Sequence, residues 1–214
     1  MVDRLIQLAA DLTAGVGHDA RLIGGLAVRL HVGAGSRLTR DVDLVPMTPD
    51  AEAVIVERLT ERGFIVGDAR HWRRAIAPET REIVDILRHP IVNPRTFEAA
   101  KLRSAPMEHH AAAPGVVVAG AADLARLKLL AGRDQDLVDL VLLSSVFPSP
   151  REIAQSAELD ELERAVSAGA NAVRRALDSG ELASCVEELL GRATTTVELD
   201  TLRTWLDALK AEGL

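Results

Sequence analysis

Apolar residues recur at helical spacing through residues 3–14 (DRLIQLAADLTA), which predicts a first helix ending at the glycines of 15–17. Residues 21–24 follow as a short strand, and 26–31 as a helix that starts straight after Gly24-Gly25. A polar loop over 33–40 leads into a strand at 42–45, stopped by Pro46. Thr48-Pro49-Asp50 is a helix start with proline near the first helical position, and the pattern runs on over 50–62 to Gly63. Three further strands are predicted at 64–66, 73–77 and 82–87, the last two separated by the turn-like Pro78-Glu79-Thr80. The order βαβαβββ predicts an α+β chain whose mixed, α/β-type sheet carries packed helices.

Prolines at 90, 94, 106 and 114 break any period across 88–114, and 116–119 is apolar and strand-like. Helices are predicted at 122–131 and 136–146, parted by Gly132. Beyond Pro148 and Pro150 the pattern is helical to the end, with breaks expected near Gly169, Gly180 and Gly191 and a helix N-cap at Thr194-Thr195-Thr196. These shifts suggest a core over 1–149 followed by a C-terminal helical region over 150–214.

A composition that is 48% hydrophobic and 27% charged provides for a real core and argues against wholesale disorder. Aromatic residues are only 2%, so the core rests on Leu, Val, Ile and Ala, and stacking of bases on aromatic platforms is disfavoured. The lone Cys185 excludes an intramolecular disulfide and fits a reducing, cytoplasmic setting. No apolar run approaches the roughly 18 residues that would span a bilayer, so no membrane partner is expected. The net charge of −7 is uneven: residues 150–214 hold 7 basic against 13 acidic side chains, whereas 66–103 hold 8 basic against 5 acidic. A polyanion is therefore tolerated near the first part of the chain and repelled by the tail.

The chemistry-bearing residues lie in three places. Asp41 and Asp43 open a strand at spacing i, i+2, which puts both carboxylates on one face. Like charges held together are usually kept where a cation neutralises them, so the pair suggests a divalent-metal site; a plain glycine turn and a solvated acid pair is the competing reading. Gly24-Gly25 lies where a backbone can approach a phosphate. Asp85 sits among Ile83, Val84, Ile86 and Leu87, where an unsatisfied acid is costly; beside Asp41 and Asp43 it would be a third acid, able to ligate a second metal or deprotonate a hydroxyl. Lys128 lies in the apolar run around Leu124, Leu127 and Ala131, followed by Arg133, Asp136 and Asp139. A snorkelling lysine on a half-exposed helix, which is common, and a helix cap by Asp134 or Asp136 are the competing structural readings. His31, His109 and His110 lack partners at metal-site spacing, and Arg70, Arg73 and Arg74 beside Trp72 read by default as a solvated basic face.

Gly24-Gly25-x-Ala27, with Arg37-x-Thr39-x-Asp41-x-Asp43, resembles the first motif of the AbiEii-type nucleotidyltransferase toxins of toxin–antitoxin systems, in the style of the MenT members. Asp123-Leu124, Lys128 and Arg133-x-x-Asp136-x-x-Asp139 resemble the late motif of that family, with Asp85 where its third acid falls. The likeness spans roughly residues 20–145; Gly24-Gly25 stands where the broader superfamily has Gly-Ser, which leaves Thr39 as the substitute hydroxyl. The resemblance implies a polymerase-β-like nucleotidyltransferase fold and transfer of a nucleoside monophosphate from an NTP, with release of pyrophosphate. It implies Mg²⁺ on Asp41, Asp43 and Asp85, with Asp85 activating the attacking hydroxyl. It further implies phosphate contacts from Gly24, Gly25 and Thr39, and Lys128 and Arg133 on the pyrophosphate, oriented by Asp136 and Asp139. The acceptor it implies is the 3′ end of tRNA, with a cognate antitoxin as partner. A protein side chain or small molecule as acceptor, or a non-catalytic interaction protein of the same fold, are the alternatives.

Overall fold

A computed structural model describes residues 2–214 except Ala34, Ser36, Leu38 and His109; the reading of His109 as an ordinary histidine therefore lies outside the described residues. The described residues fall into two compact units, one formed by 1–30, 38–99 and 105–119, the other by 31–37, 100–104 and 120–214. The sequence boundary near residue 149 lies within the second unit.

In the first unit, α1 (Val2–Thr13) precedes β1 (Ala20–Ile23), α2 (Gly24–Val32), β2 (Asp41–Pro46) and α3 (Pro49–Glu61). The strands β3 (Ile65–Asp68), β4 (Trp72–Ile76) and β5 (Ile83–Leu87) complete a five-stranded sheet of order β1-β2-β5-β4-β3. The predicted succession of strands and helices is thus observed within two residues at each boundary. β5 inserts between β2 and β4: it runs parallel to β2, while every other neighbouring pair in this sheet is antiparallel. Thr48 caps α3 by accepting from the Ala51 N–H, as the Thr-Pro-Asp start predicts.

One face of the sheet is covered. Val42, Leu44, Ala75, Val84 and Ile86 are fully buried there, against α1 and α3, which contribute Leu8, Leu12, Ile55 and Leu59. Each large aliphatic side chain so buried contributes about 1.5–3 kcal/mol. Alternation then sends Asp41, Asp43, Ile83 and Asp85 to the other face. The strand-like 116–119 enters no named strand; Val118 makes isolated bridges to Leu22 and Met107. Within 88–114, Ile91–Val92 (β6) and Ala99–Ala100 (β7) pair as a short ribbon.

The second unit is helical: α4 (Ala121–Ala131), α5 (Asp134–Ser144), α6 (Pro150–Leu159), α7 (Glu163–Ser179), α8 (Glu181–Leu190) and α9 (Thr196–Ala211). Leu124, Leu140, Leu143, Val166, Leu182, Val186, Leu202 and Trp205 are buried in it, and the Trp205 indole donates to the Pro148 carbonyl. Gly132, Gly180 and Gly191 end helices in the left-handed region, as expected. Gly169 does not break the chain. It lies inside α7, where a Cβ would come 2.2 Å from the Leu129 carbonyl oxygen of α4, so its role is close helix approach; the break falls instead at Asp160–Leu162. Thr195 and Glu198 form the capping box anticipated in the threonine run.

Candidate metal and nucleotide site

The parallel pairing of β2 with β5 sets Asp43 directly opposite Asp85, with Asp41 one pleat along opposite Ile83. Each of Asp41, Asp43 and Asp85 offers a carboxylate oxygen within 4.8 Å of the other two. Asp85 is only 8% exposed, while Asp41 and Asp43 are half-buried, so the cluster opens toward solvent along one side. Three hard oxygen donors at this spacing suit Mg²⁺ or Mn²⁺.

Three neighbours shape the acids. Thr39, 2% exposed, donates its hydroxyl to Asp41 Oδ1 at 2.6 Å, which fixes that carboxylate. The hydroxyl expected on a phosphate thus lies on a metal-binding candidate. Gly24 opens α2 with φ +71°, and a Cβ there would sit 1.8 Å from Asp43 Oδ2. Only glycine leaves that volume to the carboxylate, which consequently rests at a helix N-terminus, the end that favours negative charge. Gly25 is buried in the same turn.

Arg74, opposite Asp85 on β4, donates from Nε and Nη2 to the two Asp85 oxygens at 2.7 Å each. Its hydrogen bonds to Asp85, and then the charges of Asp85, Asp41 and Asp43, hold the guanidinium above its ordinary pKa against the opposing effect of burial. The side chain is 50% exposed and lies 5.8 Å from the Trp72 ring centroid. Strand alternation sends Arg73 to the helix-covered face, where it pairs with Glu52 and Asp68. The basic run is therefore divided, with Arg74 on the acid cluster. Its period-two relation to Trp72 was the available signal, but its partner depends on strand order.

In the second unit, Lys128 lies 2.8 Å from Asp136 and 2.7 Å from Asp139, with its side chain 6% exposed. Burial works against the ammonium, yet Asp139 and Asp136 outweigh it and hold Lys128 above the usual lysine range. Burial likewise opposes ionisation of Asp136, and the hydrogen bond from Arg133 with the charge of Lys128 reverses it. Asp136 also accepts from the Arg133 backbone N–H at the start of α5, so it is both cap and counter-ion. Arg37 donates from Nε and Nη2 to both oxygens of Asp139. The chain is thus Arg37–Asp139–Lys128–Asp136–Arg133. Arg37 carried no assigned role in the sequence reading.

No family model matches this chain, and no curated protein matches it. Among solved structures it is similar to the antibiotic-resistance factor ANT(2'')-Ia, with 14% identity over 84% of this chain and 96% of that one and a TM-score of 0.53. An antigenic nucleotidyltransferase-like protein from Paracoccidioides brasiliensis aligns over 89% of this chain and 97% of that one, with 17% identity and a TM-score of 0.49. JHP933 from Helicobacter pylori aligns over 99% and 93%, with 14% identity and a TM-score of 0.48. The first of these supports the fold assignment: the chain has the mixed α/β fold of nucleotidyltransferases.

Proposed function

We propose that the chain is a metal-dependent nucleotidyltransferase that moves a nucleoside monophosphate from an NTP to the 3′ end of tRNA, as the toxin of a toxin–antitoxin pair. The observation that carries the reading is the cluster of Asp41, Asp43 and Asp85 on the open face of a nucleotidyltransferase-type sheet. Asp41 and Asp43 would hold Mg²⁺, with Asp85 able to complete the donor set. When bound, Mg²⁺ neutralises the triphosphate and polarises the reacting phosphoryl group.

The chain's own groups prepare the step. Thr39 holds Asp41, and the missing Cβ of Gly24 gives Asp43 its place. In the transfer, a bond forms between the acceptor hydroxyl oxygen and the α-phosphorus, the α–β phosphoanhydride bond breaks, and pyrophosphate leaves. The hydroxyl proton passes to Asp85 once Arg74 has released it. Gly25 toward the phosphates, and Lys128 and Arg133 toward the leaving pyrophosphate with Asp136 and Asp139 orienting them, are roles that rest on the sequence resemblance, whereas the Thr39 hydroxyl is already given to Asp41. The tRNA acceptor, the antitoxin and a cytoplasmic setting rest on the same footing, the last helped by the lone Cys185. No helix among the described residues is long and apolar enough to cross a membrane.

Purified protein, α-labelled NTPs, Mg²⁺ and total tRNA provide the test. Label on tRNA 3′ ends with wild type and none with Asp41→Ala is expected. Equal labelling by Asp41→Ala refutes the site, and label on a protein or small molecule with tRNA untouched replaces the acceptor. Growth arrest on expression, relieved by a gene encoded beside it, checks the toxin role.

A further inference from the structure

The open face of the sheet continues past the acids to the edge strand. Directly opposed residues share a face, so the register Asp43–Asp85–Arg74–Gly67 runs unbroken from β2 to β3, and Asp41–Ile83–Ile76–Ile65 runs beside it. At its outer end lies a cavity of about 530 Å³ lined by Ile65, Gly67, Arg74, Ile76, Pro78 and Arg81. Ile65 is 68% and Ile76 38% exposed, and they stand opposite one another, so two large aliphatic side chains meet solvent side by side. The absent side chain of Gly67, opposite Arg74, leaves the floor flat.

Resting on the nucleotidyltransferase reading, we propose that this cavity is the acceptor subsite and that it takes the terminal nucleotide of a single-stranded RNA end. The lining chemistry selects that class. Ile65, Ile76 and Pro78 make the lining predominantly apolar and offer a surface for a base, and Arg74 and Arg81 are among the lining residues, so a phosphodiester at the rim has a guanidinium within reach. Among the described residues no carboxylate lines the cavity, so a polycationic small molecule has no counter-ion within it. Arg74 joins this subsite to the acids. It holds Asp85 while the cavity is empty, and an RNA phosphate offers it a second anionic partner. Transfer of Arg74 to the phosphate releases Asp85 as the terminal hydroxyl arrives. Adjacent strands lie about 4.8 Å apart, so β3 and β5 are separated by about 10 Å, a distance one nucleotide can bridge.

The test uses the full chain, a tRNA transcript and a labelled single-stranded RNA hexamer. Gly67→Val fills the floor without a backbone clash, since its Cβ would meet only the Arg74 carbonyl at 3.7 Å. Arg81→Glu reverses one charge, and Arg164→Glu makes the same change on an exposed position of α7 as a control. The first two are expected to weaken hexamer binding and raise the KM for tRNA by about tenfold or more, with the affinity for Mn²⁺ and a non-hydrolysable NTP kept within about twofold. The control is expected to stay within about twofold in both. Unchanged hexamer affinity and KM in Gly67→Val and Arg81→Glu, with wild type active on tRNA, overturn the subsite and leave the transferase reading intact. A wild type that binds no metal–NTP by calorimetry overturns both. A dimer in light scattering that Ile65→Glu dissociates, with RNA binding unaffected, assigns the face to self-association and overturns the proposal.

Discussion

Replacing Asp41 by Asn separates a metal cluster from a merely structural one. The variant keeps the shape of the side chain, and its amide oxygen still accepts the Thr39 hydroxyl. Two unit charges 4.8 Å apart repel by about 1 kcal/mol in water and about 3.5 kcal/mol at an effective dielectric of 20. Among the described residues Asp41 has two such neighbours, Asp43 and Asp85, and a compensating attraction to Arg74. Its neutralisation therefore removes about one uncompensated repulsion. Because Asp41 is only half-buried, on the side of the cluster open to solvent, the lower figure applies, and the metal-free variant gains about 1 kcal/mol. In a chain of this size that raises Tm by about 2–4 °C. The response to metal has the opposite sign. Wild type at about a hundredfold excess of Mn²⁺ over Kd gains about 2.7 kcal/mol, a further 5–10 °C or so, and the variant gains almost none. Thermal melts with and without Mn²⁺ read both quantities. A variant that melts below wild type without metal, or rises as far with it, refutes the reasoning.

Gly24→Ala places a Cβ on Asp43 Oδ2 and forces φ +71° on a non-glycine residue, for which the backbone alone costs about 1–2 kcal/mol; a lower urea midpoint and a lost Mn²⁺ response are expected, and wild-type values for both would contradict the packing. Lys128→Met leaves Asp136 and Asp139 buried with Arg133 and Arg37 as their cations among the described residues, so a loss of about 3 kcal/mol is expected in urea unfolding, and less than about 1 would deny the ion chain its role. Gly169→Ala drives a Cβ against the Leu129 carbonyl; equilibrium denaturation should register about 1–3 kcal/mol of overpacking, and neutrality would mean α4 and α7 separate freely. Glu198, hydrogen-bonded by Arg192 and at the Thr195 cap, is held down to about 2 from an ordinary 4.5. Its folded pKa is depressed, so its stabilisation is present above about 4.5 and fades as pH falls from there toward 2. Melts of Glu198→Gln followed by circular dichroism should depend less on pH across that window, and an unchanged slope would remove Glu198 from the acid response.

Local periodicity was sufficient for most elements, because their spacing is set within one segment, but it missed the short β6 and β7 and read 116–119 as a strand where Val118 makes only isolated bridges. It placed Asp41 and Asp43 on one face, since that face is fixed by their separation of two, and it marked Asp85 by the cost of an acid among aliphatic neighbours. It misjudged Gly169, because a glycine that opens a helix and one that lets two helices touch look alike in one dimension. It left Lys128 undecided between solvent and a partner, and the two carboxylates supplied by the next helix settled that only in three dimensions.

What no local pattern contains is strand order. β5 is separated from β2 by a helix and two strands, yet it enters the sheet between β2 and β4. That placement sets Asp85 opposite Asp43 on one side and opposite Arg74 on the other. The sequence alone determined three acids able to face one way. Long-range hydrogen bonding between strands distant in the chain decided that they meet, that Arg74 attends them, and that the apolar edge beyond continues their face.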